Sequence, residues 1–134
     1  MRLHDPRFSK DSGSGNAPNS EKLSEFFRLM SRQFTPEEWQ QIKNPNQTLA
    51  EQESNFFRFW TLKESLVKGL GTGLGLELQR LSFRLNSSKL GIHELCCDSE
   101  LCIDRVERED WHFEETLLDS EHCVCTAFTA PKIE

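Results

Sequence analysis

Four glycines at alternate positions, Gly69, Gly71, Gly73 and Gly75, divide this chain into two parts that obey different periods. Before them, apolar residues recur every three or four positions, the spacing that gives a helix one apolar face. After them the period is two, the spacing of a strand with one buried side. Leu81, Phe83 and Leu85 alternate with Ser82 and Arg84. Leu101 with Ile103, and Trp111 with Phe113, repeat the pattern, and HCVCTAFT at 122–129 reads as a last strand. Helices followed by strands predict an α+β fold, with helices packed on a small antiparallel sheet. The glycines themselves end a helix and permit a close turn into the sheet. A dinucleotide fingerprint would need a strand before its glycines, and a Walker loop would need its lysine; neither is present.

The helical part carries its own start signals. Ser20 precedes Leu23, Phe26, Phe27 and Met30, spaced i, i+3, i+4, i+7. In FTPEEW, Thr35 is an N-cap, Pro36 sits at the first helical position and Glu38 completes a capping box. Phe34 and Trp39 occupy the hydrophobic-staple positions. That helix should stop near Asn44-Pro45, because proline disfavours the helical region for the residue before it. Thr48 and Glu51 form a second capping box, opening a long helix that runs to about Gly69.

At 134 residues the chain fits one small domain. SKDSGSGNAPN, at 9–19, has too little apolar surface to repay ordering, so residues 1–19 are expected to be a flexible lead-in and 20–134 the folded domain. No apolar run approaches the ~18 residues of a membrane span, and MRLHDPRFSKDSG lacks the apolar core of a signal peptide. The 5 cysteines, an odd number, point to free thiols in a reducing compartment, hence the cytoplasm. Net charge is −6, and residues 89–134 hold 12 acidic against 4 basic side chains. So acidic a surface is a poor match for nucleic acid. His93, Cys96, Cys97, Cys102, His112, His122, Cys123 and Cys125 lack the spacing of paired zinc knuckles.

FWTLKESLVKGLGTGLG, residues 59–75, is where chemistry is concentrated. On a wheel of ~100° per residue, Phe56, Phe59, Trp60, Val67 and Leu70 form an apolar stripe, with Lys63 in its middle. Glu64 and Lys68 lie on its edge, and Arg58 falls on the far side. Two readings are open. In the first, Lys63 snorkels over aromatic rings to water while Glu64 and Lys68 form an ordinary i,i+4 ion pair. In the second, the helix borders a cleft, where the carboxylate and the lysines bind a metal ion and an anion.

Trp60-Thr61-Leu62-Lys63-Glu64-Ser65, then Lys68, then Gly69 to Leu74, resembles the signature helix of the 4′-phosphopantetheinyl transferases, W-[ST]-x-K-E-[AS]-x-x-K-x-x-G-x-G-L. GLELQRLSF and FFRLMSRQFTPEEW are similar to segments of animal members, and the resemblance spans about residues 20–130. It implies transfer of the phosphopantetheine arm of coenzyme A onto a serine of an acyl carrier protein, the reaction of a holo-[acyl-carrier-protein] synthase, with Mg²⁺ at the diphosphate. By the match, Glu64 is a metal ligand that also assists deprotonation of the serine, Lys68 holds a phosphate of coenzyme A, and Lys63 sits near the same anion. Trp60 packs the helix rather than touching ligand.

The family's larger members have two similar α+β halves, with the active site between them. Their second metal carboxylate comes from a Gly-[Ile/Val]-Asp motif upstream, and Asp5 and Asp11 of this chain lack that context. The resemblance therefore implies the C-terminal half, with transfer impaired in this chain alone; the alternative is a non-catalytic fragment or interaction module. The acidic run ERED, 107–110, reads as a solvated turn. It would repel an acidic carrier, so a carrier is expected to dock on the helices of residues 20–43.

Overall fold

A computed structural model describes residues 20–71, 77–87, 89–120 and 122–129. The expected lead-in, Asp5 and Asp11, and Gly73 and Gly75 lie outside the described residues. Three helices come first: α1 (Ser20–Leu29), α2 (Pro36–Ile42) and α3 (Leu49–Leu70). Five strands follow: β1 (Leu81–Arg84), β2 (Glu100–Ile103), β3 (Val106–Glu107), β4 (Trp111–Asp119) and β5 (His122–Thr129). The fold is α+β, as the change of period predicts. The strands form two antiparallel sheets rather than one, β1-β2-β3 and β4-β5.

Both capping boxes form, at Thr35 with Glu38 and at Thr48 with Glu51. The Phe34 and Trp39 rings meet edge to face with centroids 5.3 Å apart, closing the staple. α3 ends where the sequence places its stop. Gly71 takes the left-handed conformation at φ 68°, and its N–H bonds Val67 O at 3.1 Å. Gly69 serves a different need: a Cβ there would meet the Trp111 ring at 3.0 Å, so the last turn of α3 lies against that ring.

α2 does more than cover the core. Its side chains complete the outer edge of β1: Glu38 Oε2 accepts from Phe83 N at 3.0 Å, Gln41 Oε1 accepts from Leu85 N at 2.9 Å, and Gln41 Nε2 donates to Phe83 O at 3.0 Å. An edge strand that would otherwise invite pairing with another chain is satisfied by a helix.

α3 is the axis of the molecule. α1 and α2 pack an aromatic cluster of Phe26, Phe27, Phe34 and Trp39 around Phe56. β1 and β2 bring Leu81, Phe83 and Leu101 into the same core, and Phe83 meets Phe113 of β4 edge to face at 4.9 Å. β4 and β5 cover a further side of the helix, with Cys123 and Cys125 turned toward Thr61 and Ser65. Burial is the largest influence on the chemistry of these two thiols. It pushes the Cys123 thiol up, and Cys125 up to about 12. Cys97 is exposed. Alkylation of the native protein at pH 8 should therefore label Cys97 and spare Cys123 and Cys125 until the chain is unfolded, as read by peptide mass.

Candidate functional site

Because α3 is enclosed by helices on one side and by sheets on others, a single apolar stripe does not describe it. Asn55, Arg58, Thr61 and Lys63 are buried along with the phenylalanines. Two buried ion pairs result, one on each flank.

On one flank Lys63 is 3% exposed. Its Nζ lies 2.6 Å from Glu38 Oε1 and donates to Gln33 O and Leu78 O, each at 2.9 Å. The ammonium also lies 5.0 Å from the centre of the Phe34 ring. The stem crosses aromatic surface, as the first reading expects, but it ends on a buried carboxylate instead of in water. Burial pushes the Glu38 carboxyl up and the Lys63 ammonium down, and each charge pulls the other back toward ionisation. With three acceptors around it, this Nζ has no donor left for an anion. The structure thus separates Lys63 from its neighbour Glu64.

On the other flank Arg58 is 4% exposed, although the wheel sets it away from the apolar face. It grips Glu115 of β4 with two bonds, Nε to Oε1 at 2.8 Å and Nη2 to Oε2 at 3.1 Å, and donates from Nη1 to Ser87 O at 2.6 Å. Ser99 donates to the same carboxylate at 2.6 Å. Sequence reasoning missed this group. The one available signal was a glutamate at an inward-facing position of a strand, two residues after Phe113.

Glu64 and Lys68 are brought together. They sit one turn apart, both exposed, toward the C-terminal end of a helix whose central turns are buried. Among the described residues they form no salt bridge with each other, so the expected ion pair is replaced by something else. Trp60 donates from its indole Nε1 to Glu64 Oε1 at 2.5 Å. The indole in turn rests on Phe56, ring centres 5.9 Å apart, and Phe56 is buried in the aromatic cluster. The carboxylate is held at one oxygen, and an ammonium stands close by, uncommitted among the described residues.

This arrangement fits a hard divalent cation in one particular way. Among the described residues no group of three or more His, Cys, Asp or Glu side chains is placed to hold a metal ion. An all-protein cage is therefore not offered. One carboxylate beside one ammonium fits Mg²⁺ that takes its other ligands from substrate phosphates and water. The histidines and cysteines are likewise spread over β2, β4, β5 and the loop before β2, with no such group among the described residues. A cavity of about 250 Å³ elsewhere, lined by Asn55, Arg58, Lys89, Leu90 and Cys123, lies along the opposite half of α3 from Glu64.

A family model described as the 4′-phosphopantetheinyl transferase superfamily matches residues 16–127. Among curated proteins, L-aminoadipate-semialdehyde dehydrogenase-phosphopantetheinyl transferase of Xenopus laevis is 43% identical over 110 residues, covering 82% of this chain and 36% of the relative. The Homo sapiens protein of that name is 39% identical over 114 residues, 85% of this chain and 37% of its own length. A phosphopantetheinyl transferase of Thraustochytrium is 36% identical over 111 residues, 81% of this chain and 36% of its own. The chain thus spans a little over a third of the length of the curated relatives it matches. No helix among the described residues is long and apolar enough to cross a membrane.

Proposed function

Because this chain belongs to the 4′-phosphopantetheinyl transferase superfamily, we propose that residues 20–134 are the C-terminal half of a catalytic domain that transfers the phosphopantetheine arm of coenzyme A to a serine of an acyl carrier protein. The observation that carries this reading is the exposed pair Glu64 and Lys68, presented by a helix whose central turns are buried. Glu64 is the carboxylate that would hold magnesium and would draw the proton of an attacking serine. Lys68 would hold a phosphate oxygen of coenzyme A. Bound magnesium would neutralise charge on the diphosphate during transfer. Lys63 acts one step removed: through Glu38 it ties α3 to the capping box of α2 and to β1, fixing the helix that carries Glu64.

The names of the frog and human relatives point to L-aminoadipate-semialdehyde dehydrogenase, and so to lysine metabolism, as the setting of the acceptor. The exposed surface of α1 and α2 is the docking face we propose for the carrier. One carboxylate is half of what the larger family members bring to the metal, so transfer by this chain alone should be weak. The same observation favours a second reading, a folded fragment or interaction module without transfer.

Calorimetric titration with Mg²⁺ and coenzyme A decides between them. We expect magnesium-dependent binding that falls about 10-fold or more in Glu64→Ala. In Lys68→Ala we expect a clear loss of anion binding with thermal stability unchanged, since its side chain is exposed. Incubation with an apo carrier protein, read by the mass of the added arm, should give little product. Absence of binding by a folded chain would establish the second reading.

A further inference from the structure

We infer that Trp60 is a positioning residue for the metal carboxylate, acting through its indole N–H and not only through its bulk. This deepens the function proposed above and rests on Glu64 being the magnesium ligand. Three observations meet here. Trp60 and Glu64 are four apart on α3, so their side chains share a face one turn from each other. The indole Nε1 donates to one named oxygen, Glu64 Oε1, and among the described residues Oε2 has no partner. The indole ring lies on Phe56, which is locked among Phe26, Phe27, Phe34 and Trp39.

A free glutamate on a solvent-exposed helical turn samples many rotamers and loses that freedom when it binds a cation. The indole removes most of this cost in advance. It occupies one oxygen with a neutral donor, which leaves the carboxylate charge intact, and it leaves the other oxygen for a monodentate bond. A lysine in the same place would spend the negative charge; an indole does not. The donor is itself rigid because its ring is packed against the core and cannot follow the carboxylate away. Outer-shell donors of this kind fix the orientation of metal-binding side chains generally. The aromatic cluster contributed by α1 and α2 thereby reaches the site through a single ring contact.

The test uses the whole chain with magnesium chloride and coenzyme A. Trp60→Phe keeps a ring on Phe56 and removes the N–H. Its magnesium-dependent coenzyme A binding should weaken roughly 10-fold, while binding of coenzyme A without metal stays unchanged. A purely structural role would lower both together with the melting temperature. Replacing Trp60 by benzothienylalanine, an isostere with sulfur in place of N–H, should reproduce the loss with native packing, which covers the case in which Phe fails to fold. In the wild-type chain the Trp60 indole ¹H–¹⁵N resonance should move on Glu64→Gln and again on addition of magnesium with coenzyme A. If both Trp60 replacements titrate like wild type while Glu64→Ala abolishes binding, the positioning role is overturned and the site reading stands. If Glu64→Ala also titrates like wild type, the site reading falls and this inference with it.

Discussion

Lys63→Met should cost about 3–5 kcal/mol of folding stability at pH 7, the loss that follows when one member of a buried ion pair is removed and the other stays. For a domain of 134 residues that corresponds to a fall in Tm of roughly 10 °C or more. The stranded group is the Glu38 carboxyl, which is 0% exposed. It keeps its bonds from Thr35 N and Phe83 N but loses the only cation beside it among the described residues. The deficit should depend on pH in one direction. Burial already raises the Glu38 carboxyl, and without Lys63 nothing of opposite charge pulls it back. A carboxyl raised in the folded state gives its full stability below its unfolded value, about 4.3, and loses it as pH rises through the folded value. The gap between Lys63→Met and wild type should therefore narrow as the pH falls from 7 toward 4.5, in denaturant melts at each pH. Adding Glu38→Gln to Lys63→Met should recover much of the loss at pH 7, because a neutral amide can sit where the carboxylate could not. A gap independent of pH would mean that lost packing of the lysine stem, not the stranded charge, is responsible.

Arg58→Leu should be as costly, again about 3–5 kcal/mol, and for a parallel reason. Glu115 is 1% exposed and would keep Ser99 as its remaining side-chain donor, while Ser87 O would lose the guanidinium altogether. Arg58→Lys should rescue little, since a single ammonium cannot reproduce the two-bond grip on Glu115. The informative comparison is Arg58→Leu with Glu115→Leu, which should be more stable than Arg58→Leu alone. The two ion pairs lie on different flanks of α3 and share no partner, so their losses should add. Together they reach the whole stability of a typical small domain, about 5–15 kcal/mol, and the combined Lys63→Met, Arg58→Leu chain should be unfolded at 25 °C by circular dichroism.

What could be read from the sequence was whatever depends on neighbours within a few positions. Both capping boxes, the staple of Phe34 and Trp39 and the left-handed stop at Gly71 are local, and all are present. Alternation revealed the strands that have one buried side. It could not reveal β3, whose two residues are both exposed. Nor could it place the second sheet, because whether two hairpins join depends on contacts far apart in the chain. The wheel failed at Arg58 for a clear reason. It assumes one wet side and one dry side, and α3 is dry over most of its circumference. The partners of its charged residues, Glu38 and Glu115, come from 25 residues before and 57 residues after, respectively. Glu64 and Lys68 were legible through motif resemblance; the indole that holds Glu64 is within one turn, yet only coordinates tell a packing tryptophan from a donating one.

The enclosure of α3 bears on how such a site could ever be switched. Glu64 and Lys68 have no hinge beneath them. The turns that carry them continue directly into Phe57, Thr61, Leu62 and Leu66, which are buried. Melting that segment would wet the centre of the protein, so disarming these two side chains and denaturing the molecule amount to one cooperative transition. Control by local fraying is closed to this architecture. Whatever governs access must act from outside, by covering or uncovering the one strip of the helix that faces water.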